Sequence, residues 1–298
     1  MFTVNAQHGN SSIRVRDAAG GDPAPARCAE GHADEGRWAS MTLVEIVTLL
    51  GLPLPEDLDR VEATFAVRRV RAGEALHRAG DEFKSIAVVR SGFFKTVSLD
   101  KLGEELVLGF PMVGDVIGID AIDSGHHLAE TVALDMSSVV TIPFGQLTRL
   151  GQEHPGIERI MYALFSRELA HTQAMCCLLG SMSAESRLAT FLAETSERFG
   201  RIGCARRVKA LRATRQEIGS YLGLKLETVS RTLSTFAAAG LIAVDRREVA
   251  LLDPAGLQRV AAGSVANVAK STALRRKARE FFHQSASTPG GEALAMAA

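Results

Sequence analysis

Residues 214–244, TRQEIGSYLGLKLETVSRTLSTFAAAGLIAV, contain the clearest structural signals of the C-terminal part of the chain. Thr214 and Glu217 have the spacing of a T-x-x-E capping box, which predicts that a helix begins there. Gly223 permits the positive φ of a tight turn, and a second helix is predicted over Leu226–Ala238. Two helices joined by a short turn that contains glycine form a helix-turn-helix.

The apolar residues of this stretch recur at helical spacing and predict its core, namely Ile218, Leu222, Val229, Leu233 and Phe236. Leu224 is expected to anchor the turn, and Gly219 is small enough for the second helix to cross closely. Gly240 then ends the second helix, and LIAVDRREVALL predicts a two-stranded wing that turns at residues 245–247.

The exposed face of the second helix is predicted to carry Glu227, Ser230 and Arg231, because positions i, i+3 and i+4 share one face. Arg is suited to bidentate contact with guanine, and Glu accepts from the amino group of cytosine. We expect phosphate contacts from nearby residues, namely Arg215, Lys225, Thr228, Arg246 and Arg247. The alternative is a small helical hairpin with a solvated charged face.

Charge and cysteine usage support a DNA partner and a reducing compartment. The chain holds 34 Lys+Arg and 34 Asp+Glu, but residues 183–253 alone hold 12 and 8, a net charge of +4. No run of apolar residues approaches a membrane span, and the N-terminus does not resemble a signal peptide, so we expect a cytoplasmic protein. The four cysteines form no disulfide framework and no C-x-x-C pair.

The rest of the chain predicts an α+β protein in five segments. Residues 1–40 have few apolar side chains and are expected to be disordered, and a short helix is predicted at 41–52. Short apolar runs between glycines at 64–143 predict a sandwich, barrel or jelly roll. A long amphipathic helix at 155–182 is expected to pair with a second copy of the chain. The expected boundaries are 1–40, 41–153 (β domain), 154–182 (dimerisation helix), 183–255 (DNA-binding domain) and 256–298 (partly disordered extension).

The chain resembles the Crp/Fnr family of bacterial transcription regulators, most closely its Fnr branch. Besides the helix-turn-helix, the segments AGDEFKSIAVVRSGFFKT, GDVIGIDAIDSGHH and IPF carry the resemblance. It implies a cyclic-nucleotide-binding-type β roll, a winged helix-turn-helix, homodimers on double-stranded DNA, and no enzymatic activity. The Fnr branch has E-x-x-S-R where this chain has Glu227, Ser230 and Arg231, and Leu226 replaces an Arg of the Crp branch. A TTGAT…ATCAA palindrome is therefore implied rather than a TGTGA one.

The chain departs from the family at two sensor sites. Members that bind cAMP need an Arg for the cyclic phosphate, and residues 115–143 contain none. The positions that carry the [4Fe–4S] cysteines of oxygen-sensing Fnr correspond, without gaps, to Trp38, Met41, Val47 and Val140. We therefore expect neither cAMP nor this cluster as a cofactor.

Three further groups carry weaker expectations. Cys176 and Cys177 lie in the predicted dimerisation helix, where a thiol switch competes with a structural role. The turn at Gly103 and Glu104 matches the loop that contacts RNA polymerase in the family. His126, His127 and Glu130 offer the ligands for an alternative, a metal-dependent β-roll enzyme, although neighbouring residues on a strand point to opposite faces.

Overall fold

The computed structural model describes residues 40–101, 103–201, 207–208, 213–245 and 248–263. In its N-terminal half, two antiparallel sheets pack together and form a β roll. The first sheet has the strand order β1-β2-β9-β4-β7 and the second has the order β3-β8-β5-β6. The strands are β1 (Ser40–Thr42), β2 (Thr64–Val70), β3 (Ala75–His77), β4 (Ser85–Ser91), β5 (Phe94–Leu99), β6 (Glu105–Gly109), β7 (Val116–Ile117), β8 (Glu130–Ala133) and β9 (Ser137–Pro143).

Strands β4 and β9 form the central ladder of the first sheet, and their consecutive buried residues show that both of their faces are covered. Val88 pairs with Val140, and Val89 pairs with Val139. Successive side chains on a strand point to opposite faces. Val88 and Val140 therefore pack toward the helices on one face, whereas Val89 and Val139 fill the interior of the roll.

The short helix expected at 41–52 is observed as α1 (Leu43–Leu49), so both predicted ends were too generous. Met41 belongs instead to strand β1, where it pairs with Phe65. Thr42 ends this strand and caps the helix through a capping box with Glu45, which a reading of apolar periodicity alone does not reveal.

Two helices follow the roll, α2 (Phe144–Glu153) and α3 (Pro155–Ser181). The long helix was predicted to end one residue later than it does. Ile157, Ile160 and Leu164 pack with the roll, but most residues of α3 from position 166 to 177 are exposed. The middle of α3 is thus left uncovered by its own chain, whereas Leu178 near the end of the helix packs into the C-terminal core.

The C-terminal part combines helices with a three-stranded sheet of order β10-β12-β11. Its elements are α4 (Ala184–Arg201), β10 (Arg207–Val208), α5 (Arg215–Leu222), α6 (Leu226–Ala238), β11 (Ile242–Asp245), β12 (Glu248–Leu251) and α7 (Pro254–Ala261). The sequence predicted the wing as β11 and β12 but not the added strand β10. Helix α7 runs across the expected boundary at 255 and buries Leu257, and Ser186 of α4 donates a hydrogen bond to the Val260 carbonyl.

The observed architecture confirms the expected α+β class, with a β roll, a long helix and a C-terminal winged helix-turn-helix. No helix among the described residues is long and apolar enough to cross a membrane.

Candidate nucleic-acid interface

The helix-turn-helix begins with the predicted capping box. The Thr214 hydroxyl accepts a hydrogen bond from the Glu217 backbone N–H at 3.1 Å, and Glu217 Oε2 accepts one from the Thr214 N–H at 2.7 Å. Two backbone donors at the start of α5 are thereby satisfied. Burial raises the pKa of Glu217, but these bonds and the Lys95 ammonium outweigh it, so the pKa is lowered overall.

The turn between α5 and α6 depends on two glycines. Gly223 has a φ of 62°, which is the left-handed conformation predicted for it. A Cβ at Gly219 would lie 2.6 Å from the Leu224 carbonyl oxygen and 3.6 Å from Val229. We expected the second helix to make the close approach at Gly219. The backbone of the turn at Leu224 makes the closer contact, and the second helix, through Val229, is farther away.

Helix α6 separates a buried face from a reading face. The predicted core residues Val229, Leu233 and Phe236 are buried. On the other side, Glu227 and Arg231 are exposed and Ser230 is half-buried. The structure therefore brings the three predicted base-contacting residues to the surface along the N-terminal half of one helix, the part of a recognition helix that reaches base edges.

Cationic and hydroxyl side chains surround this face. Arg215 of α5 donates a hydrogen bond to the Ser230 hydroxyl at 3.4 Å, so it lies directly beside the reading face. Lys225 occupies the N-cap of α6, and its side chain makes no capping bond. Thr228 is half-buried next to it, whereas Arg246 and Arg247 lie outside the described residues.

The remaining predicted site residues lie elsewhere on the chain. Gly103 and Glu104 form the exposed tip of the hairpin between β5 and β6, where Gly103 has a φ of 81°. Cys176 and Cys177 are both exposed on α3.

The ligand set of the alternative enzyme does not assemble. His126 is exposed and His127 is buried, and Glu130 pairs with Arg78 at 3.7 Å. Within the described ranges, no group of three or more His, Cys, Asp or Glu side chains could hold a metal ion.

His127 instead stacks on His77, a residue that no sequence motif singled out. The two rings lie 3.6 Å apart and are almost parallel, with an interplanar angle of 8°. They line a cavity of about 210 Å³ at one end of the roll, together with charged residues that include Arg68, Asp81 and Lys84. Burial and the neighbouring His127 lower the pKa of His77 to about 4, against the opposing effect of Asp120 and Asp81.

The fold and the interface define a class of protein. A winged helix-turn-helix with an exposed Glu, Ser and Arg on its second helix, joined through long helices to a β roll, is the architecture of a DNA-binding regulator. Two family models match the same parts of the chain. The Crp-like helix-turn-helix domain matches residues 186–260, and the cyclic nucleotide-binding domain matches residues 67–154.

Known proteins extend the match over most of the chain. The transcriptional activator protein Anr of Pseudomonas protegens is 40% identical over 220 residues, covering 72% of this chain and 90% of Anr. The fumarate and nitrate reduction regulatory protein of Escherichia coli is 38% identical over 214 residues, covering 72% of this chain and 85% of its own length. The solved structure of FixK2 from Bradyrhizobium japonicum superposes with a TM-score of 0.60 at 28% identity, covering 65% of this chain and 96% of FixK2.

The protein belongs to the Crp/Fnr family, and it is a DNA-binding transcription regulator rather than an enzyme.

Proposed function

We propose that the protein is a homodimer that reads a TTGAT…ATCAA-like palindrome with Glu227, Ser230 and Arg231. The observation that carries this proposal is the exposed reading face of α6, which presents these three side chains in the N-terminal half of the helix. Arg231 has the bidentate geometry for guanine, and Glu227 supplies an acceptor for the cytosine amino group. A carboxylate that faces DNA is unfavourable unless it reads a base, so Glu227 argues for specific readout.

The dimer is proposed to form along α3. Large apolar side chains on this helix, Tyr162, Leu169 and Leu179, are exposed in the single chain. A helix with such a surface buries it most simply against a second copy of itself. The exposed thiols of Cys176 and Cys177 lie on the same helix, where a disulfide across the dimer axis could act as a redox switch.

The proposed regulator works without cAMP. Residues 115–143 contain no Arg and no Lys, so this segment offers no cation for a cyclic phosphate.

The proposed regulator also lacks the Fnr-type [4Fe–4S] cluster. Met41, Val47 and Val140 stand at three of the family's cysteine positions, and they are buried in one apolar cluster. The fourth position, Trp38, lies outside the described residues. An iron–sulfur cluster needs thiolate ligands, and these side chains supply none. The residues at these positions therefore do not fit the cluster.

Phosphate contacts are proposed for Arg215, Lys225 and Thr228, which surround the reading face, and for Arg246 and Arg247 of the wing. We further propose that the exposed hairpin tip at Gly103 and Glu104 contacts RNA polymerase, so that the protein acts as an activator. The proposed division of labour keeps the β roll at 41–153, the dimerisation helix at 154–182 and the DNA reader at 183–255, with extensions at 1–40 and 256–298, of which the part that lies in α7 (Pro254–Ala261) packs with the DNA reader.

Fluorescence anisotropy of protein purified in air tests the proposal. A labelled TTGAT…ATCAA duplex is titrated against a TGTGA…TCACA duplex at the same salt concentration, because phosphate contacts make affinity strongly dependent on salt. We expect tight binding to the first duplex only. Preference for the second duplex would refute the proposed readout, and binding to the first duplex only under anaerobic conditions would refute the cluster-free sensor.

A further inference from the structure

The DNA-binding domain is attached to the roll along an exposed sheet edge. Strand β6 is the last strand of its sheet, and the unpaired backbone groups of an edge strand need other partners. Ser220 of α5 supplies them. Its hydroxyl accepts a hydrogen bond from the Val107 N–H at 2.9 Å and donates one to the Glu105 carbonyl at 3.3 Å.

A partly buried ion triad joins the same elements. The Lys95 ammonium of β5 lies 3.0 Å from Glu217 Oε1 of α5 and 3.1 Å from Glu105 Oε2 of β6. The side chains of Lys95 and Glu217 are only 14% and 17% exposed, so solvent screens their attraction weakly. Burial acts to lower the pKa of Lys95, but the bonds to the two carboxylates outweigh it and raise the pKa.

An aromatic cluster seals the contact beside the triad. Tyr221 of α5 packs edge-on against Phe110, which follows β6, at 5.3 Å between ring centroids, and against Phe191 of α4 at 5.8 Å. Burial raises the pKa of Tyr221 to about 12. Arg198 of α4 adds an ion pair with Asp115 of the roll.

Glu217 therefore has two partners at once. Its carboxylate caps the first turn of α5 through Thr214 and also bonds Lys95 of the roll. Because α5 packs against α6, a contact that fixes α5 also fixes the reading helix. The reading face stays open in this arrangement, since Glu227 and Arg231 are exposed. The docking contact thus leaves these two reading residues uncovered.

We propose that Lys95, Glu217 and Ser220 form an interdomain latch that positions α6 relative to the roll and so sets the half-site spacing that the dimer accepts. The effect of this latch on half-site spacing rests on the proposed function, that is, on a homodimer that reads a palindrome. In a two-fold dimer the separation of the two reading helices must match the separation of the half-sites. A domain held at one position accepts one spacing, whereas a loosened domain accepts several at lower affinity.

The test compares Lys95→Met, Glu217→Gln and the double variant with the wild type. Gln also serves in a capping box, so Glu217→Gln keeps the start of α5 while it removes the charge. The matched control is Lys84→Met, which breaks the exposed pair with Glu82 at 2.8 Å elsewhere on the roll. Affinity is measured for the preferred palindrome and for duplexes whose spacer is one base pair shorter or longer.

We expect each latch variant to bind the preferred duplex about three- to tenfold more weakly than the wild type. The double variant should bind no more weakly than the more impaired of the two single variants, because both single changes break the same contact. The ratio of preferred to altered spacing should fall in the latch variants and stay unchanged in Lys84→Met. A merely structural role would lower all affinities equally and leave the ratio unchanged, which would overturn the latch. Tighter binding in the variants would overturn it as well, because the contact would then inhibit.

A second measurement needs no DNA and separates the latch from the proposed operator. Amide hydrogen exchange at Val107 reports its bond to Ser220, with the Val97 amide on the neighbouring strand as reference. We expect slow exchange at Val107 in the wild type and faster exchange in Ser220→Ala, with Val97 unchanged. Equal rates at Val107 in the two proteins would show that the domain is not docked there, even if the wild type reads the palindrome.

Discussion

The reading face of α6 and the core of the β roll place their functional positions in opposite environments. On α6, Glu227 and Arg231 are exposed and make no contribution to the apolar core. Val47 of α1 and Val140 of β9, which the family resemblance places at cysteine positions, are almost completely buried, with 1% and 0% exposure. The proposed reading residues thus lie at the surface, whereas Val47 and Val140 contribute to an apolar core.

The largest expected effect concerns the reader. Arg231→Ala should weaken specific DNA binding by about 1–3 kcal/mol, because a bidentate contact to guanine is lost. The free energy of unfolding should change by less than about 0.5 kcal/mol, since the side chain is exposed. Anisotropy titrations and urea unfolding measure the two quantities. Arg149→Ala, at an exposed position on α2, is the matched control and should leave both unchanged.

The converse experiment removes two methyl groups from the roll. Val140→Ala should lower the free energy of unfolding by about 2 kcal/mol through lost burial and a residual cavity. Urea unfolding measures this loss, and titration of the folded protein with the palindrome should show unchanged affinity. A clear loss of DNA affinity at full folding would erase the contrast between the two regions.

A smaller effect is expected from the stacked histidines. The pKa of His77 is lowered from 6.5 to about 4, so the unfolded chain takes up its proton at higher pH than the folded chain. The free energy of unfolding is therefore highest with respect to this group above pH 6.5, where His77 is neutral in both states. It falls as the pH is lowered toward 4, because the unfolded chain is protonated first. His77→Phe, which keeps a flat ring on His127, should reduce this pH dependence.

Urea unfolding at several pH values in this window measures the difference, which is bounded by about 1.4 kcal/mol per pH unit. The groups that face the ring are His127, Asp81 and Asp120, and they are unchanged in the variant. His126→Gln, at the exposed neighbour, serves as control. If the free energy of unfolding depended on pH identically in the wild type and in His77→Phe, the lowered pKa of His77 would not be the source of the pH dependence.

The smallest effect concerns the N-cap of α6. Lys225→Thr should stabilise the protein by about 1 kcal/mol, because Thr supplies the capping bond that Lys225 does not make. The same change should reduce the salt dependence of DNA binding by about one phosphate contact. A stabilised variant with an unchanged salt slope would remove Lys225 from the proposed phosphate contacts.

The helix-turn-helix was predictable because its signals are local. The capping box at Thr214, the left-handed Gly223 and the span of α6 from Leu226 to Ala238 all follow from residues within one or two turns of each other. The pattern of apolar runs alone predicted the roll only as one of three all-β arrangements, and the family resemblance was needed to specify it. Strand order and register depend on pairs such as Val88 and Val140, which are distant in sequence, and no local pattern specifies them.

The class of the protein follows from local sequence, since the capping box of α5, the turn and the reading residues of α6 lie within one continuous stretch of the chain. The way in which the roll holds that stretch follows only from tertiary contacts. Lys95 and Glu217 are far apart in sequence, and no sequence motif links them. Folding brings the Lys95 ammonium to 3.0 Å from Glu217 Oε1 in a partly buried contact. His77 and His127 are likewise distant in sequence, and their rings stack only because the folded roll brings them together.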